Sequence, residues 1–176
     1  MKYFNKLDGR RIYLSPVNVE DVDIFLKWMN GPTAKNLAVA HKIFTKQEEL
    51  DYLTKTKMLA IILKETDTMI GTIEFMNVNQ KDRTASLGIN IGEETARRKG
   101  YGTEAIKLFL DFGFQIMNLH TILLTVYTFN EPAIKCYEKL GFQVVGTQKE
   151  VYYHNGEYHD RVMMEMIDKE WREINE

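Results

Sequence analysis

Two kinds of hydrophobic spacing run along this chain, and together they predict its secondary structure. Alternating apolar and polar positions, or short apolar runs, are typical of strands, whereas apolar residues three and four positions apart are typical of helices. The first pattern predicts strands at 10–17, 58–64, 69–78, 84–91, 121–128, 142–153 and 158–167. The second predicts helices at 18–30, 45–56 and 101–117, and a further helix from Asn130 to Gly141.

Short polar signals set the ends of these elements. Asn18 is placed to cap the first helix, and Thr45 with Glu48 three residues later forms a capping box for the second. Asn155-Gly156 lies between the last two apolar segments, where this dipeptide is a strong hairpin signal. Gly88 indicates a bulge in the strand that contains it.

The order of elements predicts the fold class. One strand, two helices, three strands, a helix, a strand, a helix and two strands form a mixed α+β domain, a sheet with helices on its faces. Segment 121–128 is almost continuously apolar or β-branched, which predicts a central strand covered on both faces. With 176 residues, the chain is expected to form one domain, 1–176.

Composition narrows the function classes. Apolar residues make up 44%, charged residues 27%, and the net charge is −2, which argues against a general nucleic-acid binder. No apolar run reaches membrane-spanning length, and residues 1–10 lack a signal-peptide core. A single cysteine, Cys136, fits a reducing compartment, so we expect a cytoplasmic location and no membrane association. The four histidines do not have metal-ligand spacing, so no metal is expected.

The stretch with the clearest chemistry is a basic, glycine-containing loop between a strand and a helix. Gly100 and Gly102 allow sharp turns and close approach of a ligand. The first amides of the following helix have no partner within it, and the helix dipole adds positive charge there. Such a site suits a pyrophosphate, and Arg97, Arg98 and Lys99 add formal charge. A solvated basic turn is the alternative interpretation; neither the triphosphate-binding nor the dinucleotide-binding glycine pattern is complete.

Two segments carry a family resemblance. "RRKGYGTEA" (97–105) and "NEPAIKCYEKLGF" (130–142) resemble the pyrophosphate loop and the Asn- and Tyr-bearing segment of the GNAT superfamily of acetyl-CoA-dependent N-acetyltransferases. The resemblance extends from "DGRRIYLSPV" to "VMMEMI", and is strongest to the branch with ribosomal-protein N-terminal and spermidine acetyltransferases. It implies a mostly antiparallel sheet of about seven strands, splayed at the cofactor site.

The resemblance also implies roles for individual residues. Backbone amides of 98–103 would hold the pyrophosphate of acetyl-CoA, the co-substrate. The strand end at 89–91 would pair with its pantetheine arm, Asn130 would contact it, and Tyr137 would lie near the thioester sulfur. The implied cofactor-binding residues are Ile89, Asn90, Ile91, Arg97, Arg98, Lys99, Gly100, Tyr101, Gly102, Thr103, Asn130 and Tyr137. Arg98 departs from the glycine of many relatives.

Acetyl transfer to an amine needs a proton acceptor for the ammonium and a proton donor for the leaving thiolate. Tyr137 is the candidate acid, although its helical stripe also suits a core tyrosine. Glu74 is a candidate base or amine anchor; the alternative interpretation is an exposed glutamate on a strand. His120 is another candidate, and the alternative for it is a structural histidine. Cys136 lies on the same apolar stripe, so direct attack in a ternary complex is favoured over an acetyl-enzyme.

The acceptor is left open by the sequence. Segment 30–44 is expected to line its pocket, and Lys35, Asn36, His41 and Lys42 there are not acidic. Glu48, Glu49 and Asp51 are interpreted as a solvated helix face. A polycationic amine would prefer clustered carboxylates, so a polyamine is not the obvious acceptor. A protein N-terminus, an amino sugar or another small amine fits, and the polyamine stays among the alternatives. The alternatives are a non-catalytic CoA-binding regulatory module and a nucleotide-binding interaction domain, and the last hairpin can pair across a homodimer.

Overall fold

A computed structural model describes residues 2–31, 34 and 42–175. Within these residues, eight strands form a sheet in the order β1-β2-β3-β4-β5-β6-β8-β7. The strands are β1 (Leu7–Asp8), β2 (Ile12–Pro16), β3 (Leu59–Leu63), β4 (Thr68–Asn79), β5 (Thr84–Asn90), β6 (Thr121–Tyr127), β7 (Gln143–His154) and β8 (Glu157–Ile167). The helices are α1 (Val22–Asn30), α2 (Lys46–Leu53), α3 (Tyr101–Asp111), α4 (Glu131–Leu140) and α5 (Asp168–Asn175).

The fold is the mixed, mostly antiparallel sheet with helices that the element order predicts. β5 and β6 run parallel, with Thr84–Ser86 paired to Thr121–Leu123. The pairs β1–β2, β2–β3, β3–β4, β6–β8 and β7–β8 are antiparallel. A parallel pair needs a crossover connection, and the chain from β5 to β6 provides it through α3.

The chain divides into two compact units, Met1–Glu74 with Ile89–Leu108, and Phe75–Gly88 with Phe109–Glu176. In the first, α1 and α2 belong to one apolar core with β3 and the start of β4. Its fully enclosed side chains include Phe25, Trp28, Leu53 and Ile62, each 4% exposed or less. Thr45 caps α2 through the predicted capping box with Glu48, both reciprocal hydrogen bonds being present.

In the second unit, β6 lies between β5 and β8, and the C-terminal hairpin pairs β8 with β7. Asn155 and Gly156 turn the hairpin with φ values of 52° and 89°. Both are left-handed, as a two-residue hairpin turn with this dipeptide requires. Gly141 ends α4 at φ 98°, which confirms its predicted role as the helix stop.

Several elements differ from the sequence prediction. β1 is an additional two-residue strand, so the sheet has eight strands rather than about seven. The first helix starts as a 3₁₀ turn, Val19–Asp21, and Asn18 accepts from the amide of Glu20 at 2.9 Å. The helix expected to reach residue 117 leaves the α conformation after Asp111 and continues as a π-helical turn, Phe112–Ile116.

Two further differences lie in the second unit. The charged tail forms α5, anchored by Trp171, which is 3% exposed and donates from Nε1 to Asp111 at 2.8 Å. β6 is not covered on both faces: Ile122, Leu124 and Val126 are buried, whereas the alternate positions are partly or fully exposed. Its apolar run therefore follows β propensity rather than double-sided burial.

Candidate functional site

The basic loop leaves a strand whose end is tightly fixed in the first unit. A Cβ on Gly71 of β4 would lie 2.3 Å from the carbonyl oxygen of Asn90, so only glycine permits this approach of the backbones. Two residues past that strand end, a Cβ on Gly92 would lie 2.1 Å from the ring of Trp28. The amide of Glu93 then donates to Ile70 at 3.1 Å. These contacts hold the start of the loop in one position.

The loop itself turns through two left-handed residues. Gly100 has φ 82°, and Arg98, in the position where many relatives of the resembled family carry glycine, has φ 60°. A non-glycine residue in this region costs roughly 1–2 kcal/mol. The fold imposes this conformation despite its cost, which indicates that the loop's backbone shape matters.

α3 begins directly after the loop and directs its first amides toward it. The first hydrogen bond of the helix runs from the amide of Glu104 to the carbonyl of Gly100 at 3.0 Å. The preceding amides, at Tyr101 and Gly102, belong to the first turn, where the helix supplies no internal acceptor. Donors and the positive end of the helix dipole thus coincide.

The three basic side chains of the loop do not act alike. Arg98 and Lys99 are exposed, and they precede the first residue of α3 by three and two positions. Arg97 is half-buried, and its Nε donates to the carbonyl of Ile91 at 2.8 Å. Arg97 therefore braces the strand end against the loop, in addition to carrying charge.

The loop carries donors and cations of the kind that a diphosphate group requires. A Cβ added to Gly102 would be in ordinary van der Waals contact with Ile91 Cγ1 at 3.5 Å and Ile89 Cδ1 at 3.9 Å, so the helix start lies close to the end of the strand. Backbone donors and two exposed cations there supply what an anion needs. Ile89, Asn90 and Ile91, the residues expected to pair with pantetheine, are partly exposed at the end of the same strand.

Other predicted residues lie in the second unit. Asn130 precedes α4 and makes no side-chain capping hydrogen bond to it. Tyr137 lies on α4 with its ring edge-on to Phe142 at 5.9 Å. Burial, and secondarily the charge of Cys136, raise the pKa of Tyr137 to about 12. The phenol is therefore protonated at neutral pH, as a proton donor must be.

His120 and Glu74 differ in surroundings. The His120 side chain is exposed, and its backbone bonds to Arg83 at 2.6 Å and to Asp168 at 2.9 Å, a connecting role in the second unit. Glu74, on β4 in the first unit, is half-buried next to the fully buried Ile73. Burial raises the pKa of the Glu74 carboxyl.

One acidic residue was interpreted wrongly from the sequence. Glu49 on α2 does not lie on a solvated face: it is 4% exposed, and burial together with the charge of Glu48 raises its pKa. Tyr52, one turn on, has its own pKa raised by burial and then by the charges of Glu74 and Glu49. Glu48 and Asp51 are exposed as predicted. The polar sequence of α2 gave no sign that one glutamate turns inward.

The remaining predictions concern the residues of the acceptor segment, metal binding and membrane association. Lys35, Asn36 and His41 lie outside the described residues, while Lys42 is exposed. Across 2–31, 34 and 42–175, no group of three or more His, Cys, Asp or Glu side chains is arranged to hold a metal ion. No helix in the described part of the chain combines the length and apolar character needed to cross a bilayer.

Comparison with known proteins identifies the family of this chain. The family described as "Acetyltransferase (GNAT) domain" matches residues 11–143. The chain is 28% identical over 170 residues to an uncharacterised N-acetyltransferase, p20, of Bacillus licheniformis, covering 92% of this chain and 95% of that one. It is 38% identical over 94 residues to the spermidine N(1)-acetyltransferase of Escherichia coli K12, covering 53% of this chain and 50% of that protein.

Solved structures show the same fold. Spermidine N-acetyltransferase from Vibrio cholerae in complex with CoA and spermine superimposes with a TM-score of 0.84 at 23% identity, covering 92% of this chain and 98% of the other. A dodecameric form of that enzyme gives a TM-score of 0.76 at 23% identity, covering 94% and 99%. Since the family match spans most of the chain, this protein belongs to the GNAT family and is an N-acetyltransferase.

Proposed function

We propose that this protein transfers the acetyl group of acetyl-CoA to a primary amine on a small, positively charged acceptor, as a single domain spanning 1–176. The observation that carries the proposal is the anion-binding loop, with left-handed Arg98 and Gly100 leading into the first turn of α3. The GNAT family match and the CoA-bound relative support acetyl-CoA as the co-substrate.

Residues of this loop are proposed to bind the diphosphate. First-turn amides of α3 would donate to it, and Arg98 and Lys99 would balance its charge. Bound acetyl-CoA would supply the activated thioester. The strand end from Ile89 to Ile91 is proposed to hold the pantetheine arm through its main chain, and Asn130 to contact the co-substrate.

Tyr137 is proposed to donate a proton to the departing sulfur. Its raised pKa of about 12 keeps the hydroxyl protonated across the physiological range. Proton donation by a positioned group of this kind contributes about 10²–10⁴-fold to a rate. Cys136, on the same helix, is given no covalent role, and the amine is proposed to attack the thioester directly.

A cationic acceptor is favoured by two carboxyl groups in the first unit. Glu49 is buried and Glu74 is half-buried, and burial raises the pKa of both carboxyl groups. An ammonium group beside them would stabilise their charged forms. Polyamines belong to this acceptor class, and relatives named spermidine N(1)-acetyltransferase support them.

A turnover screen tests the function. Release of CoA thiol would be followed with acetyl-CoA and a panel containing spermidine, a monoamine, an amino sugar and a peptide with a free N-terminus. We expect amine-dependent release, fastest with a cationic alkylamine. Thiol release that no amine accelerates would contradict the proposal, and preference for the peptide would contradict the acceptor class.

We also propose a cytoplasmic location and self-association. The C-terminal hairpin has exposed apolar side chains on its edge strand, including Val144, Val145 and Val151, each 37–53% exposed. Such an unpaired apolar edge is a ready site for pairing with another copy. Sedimentation velocity would show a species larger than 20.6 kDa, and a monomer at all concentrations would contradict self-association.

A further inference from the structure

Two charged residues far apart in sequence meet beside the basic loop. Glu104, in the first turns of α3, accepts through Oε2 from Nε of Arg11 at 3.0 Å. Its other oxygen accepts the backbone amides of Arg11 at 2.7 Å and Ile12 at 3.3 Å. One carboxylate thus ties the start of β2 to α3 through three donors. The Glu104 side chain is 17% exposed, so water competes weakly for these bonds.

Arg11 continues from this contact to the loop itself. Its Nη1 donates to the carbonyl of Lys99 at 2.9 Å, and its guanidinium lies 4.7 Å from the centre of the Tyr101 ring. Its Nη2 would lie 3.1 Å from a Cβ placed on Gly100. A single planar group therefore contacts three consecutive residues at the loop–helix junction.

These contacts determine which way the loop's carbonyl groups point. The carbonyl of Lys99 is taken by Arg11, and the carbonyl of Gly100 accepts the amide of Glu104 at 3.0 Å. A carbonyl oxygen turned into an anion site would repel the anion, so both must be held elsewhere. Arg11 and Glu104 thereby leave the amide side of the junction for the ligand.

The Arg11 charge is itself matched within the protein. Its ion pair with Glu104 and its two hydrogen bonds use the fork geometry that distinguishes arginine from lysine. Burial alone would raise the pKa of Glu104, but hydrogen bonds from the Arg11 amide and side chain, and from Ile12, lower it below its ordinary value. The pair is thus fully charged at neutral pH, and Arg11 is a brace rather than a free cation.

We propose that Arg11 and Glu104 are positioning residues that hold the 97–103 loop in its anion-binding shape and thereby set the affinity for acetyl-CoA. This inference rests on the proposed diphosphate site. It assigns an effect on CoA binding to two residues that lie beside the loop's donors. One of them, Arg11, lies at least 86 positions before the loop in the chain.

The test compares two adjacent arginines in the full-length protein. Arg11→Ala removes the brace, whereas Arg10→Ala removes the same charge from an exposed side chain that makes no hydrogen bond or ion pair within the described residues. CoA binding would be measured by calorimetry, with kcat and both KM values from steady-state kinetics. For Arg11→Ala we expect CoA affinity and the KM for acetyl-CoA to worsen about tenfold or more. The KM for the amine and the Arg10→Ala values should stay within about twofold of wild type.

Two further variants separate positioning from folding. Arg11→Lys keeps the charge but not the fork, so it should restore only part of the CoA affinity. Glu104→Gln should weaken CoA binding in the same direction while retaining a cooperative thermal transition. If Arg11→Ala does not fold, the CoA affinities of Glu104→Gln and Arg11→Lys test the inference on their own.

Unchanged CoA affinity in Arg11→Ala or in Glu104→Gln would overturn the inference while leaving the proposed function intact. Complete rescue by Arg11→Lys would overturn the fork argument. If the wild-type protein binds no CoA, the proposed function fails, and the inference with it. Loss of amine affinity equal to the loss of CoA affinity would show a general structural role instead.

Discussion

At the scale of single residues, two titrating groups are shifted in directions that suit amine acetylation. Tyr137 keeps its proton to about pH 12, as the proposed role in proton donation requires. Glu74 takes up its proton at a higher pH than an ordinary glutamate, because burial disfavours its charge. Shifted pKa values of this kind cluster at functional sites, and each is tested by its own variant.

Replacing Tyr137 with Phe removes the hydroxyl and leaves the ring against Phe142. Because the change removes only a proton donor, kcat should fall about 10²-fold or more. The KM for acetyl-CoA should change little. Tyr153→Phe, which removes the same hydroxyl from an exposed hairpin position, is the control and should match wild type. Equal kcat in the two variants would exclude Tyr137 from the proton transfer.

Glu74 predicts a pH dependence of acceptor binding. Its folded-state pKa is raised, so the carboxyl loses its charge as the pH falls through that pKa, above the ordinary value of 4.5. The KM for a cationic amine should therefore rise as the pH falls, and Glu74→Gln should give a high KM at every pH.

The raised pKa of Glu74 also predicts how this residue affects the stability of the protein. Ionising a group whose folded pKa is raised costs stability at neutral pH, and this cost disappears as the pH falls. Glu74→Gln should thus be as stable as wild type or more stable at pH 7, by denaturant titration. The control is Glu65→Gln, at an exposed glutamate in the turn before β4. An amine KM in Glu74→Gln that equals wild type would remove Glu74 from acceptor binding.

At the scale of elements, two glycines near the same loop are expected to affect different properties, one the stability of the protein and the other its affinity for CoA. Gly92→Ala would drive a methyl group to 2.1 Å from the Trp28 ring, and should destabilise the protein by about 1–3 kcal/mol. Gly102→Ala meets Ile91 at an ordinary 3.5 Å and should retain wild-type stability. Its methyl group would lie against Ile91 and Ile89, at the strand end proposed to hold the pantetheine arm, so CoA affinity should fall.

Thermal melting and calorimetry on the two glycine variants check this separation. Each variant is the control for the other, because both add one methyl group near the loop. A destabilised Gly102→Ala with unchanged CoA affinity would show that the helix start is a packing feature and not a ligand site.

The C-terminal helix α5 is expected to be necessary for the second unit. Trp171 is buried and bonded to Asp111, and Ile174 lies against Gly141. Trp171→Ala should lower stability by about 3–5 kcal/mol. Arg172→Ala breaks only an exposed i,i+4 pair with Asp168 and should cost less than about 0.5 kcal/mol. Chemical denaturation compares them, and similar midpoints would show that α5 contributes little.

Elements with local signals could be predicted from the sequence, and elements fixed by distant contacts could not. The Asn155-Gly156 hairpin and the Thr45–Glu48 capping box depend on neighbouring residues and occur as predicted. The π-helical turn after Asp111 occurs where a Cβ on Gly113 would lie 2.7 Å from Phe75, a contact between separate elements. β1 is too short to show any alternation.

The candidate site divides in the same way. The loop and the helix start could be predicted, because glycines and basic residues directly follow a strand in the sequence. Arg11 and Glu104 meet over a sequence separation of 93, which no local pattern contains. The burial of Glu49 depends on how α2 packs in the core of its unit. The polar residues around Glu49 give no sequence signal that this side chain is buried.

At the scale of the whole molecule, the fold and the family establish an N-acetyltransferase, while the binding residues remain proposals. The GNAT family match establishes the acetyltransferase domain, and the fold shared with the Vibrio cholerae enzyme agrees with it. The left-handed turns of the basic loop are the observation from which co-substrate binding is proposed. The central claim is that backbone amides at the start of α3, flanked by Arg98 and Lys99, bind the diphosphate of acetyl-CoA.

Calorimetric titration with CoA and with pantetheine, which has the thiol arm but no diphosphate, tests that claim most directly. The account predicts measurable CoA binding, and pantetheine binding at least about 100-fold weaker, since the charge-assisted bonds are lost. Equal affinity for the two compounds, or no affinity for CoA, would contradict it.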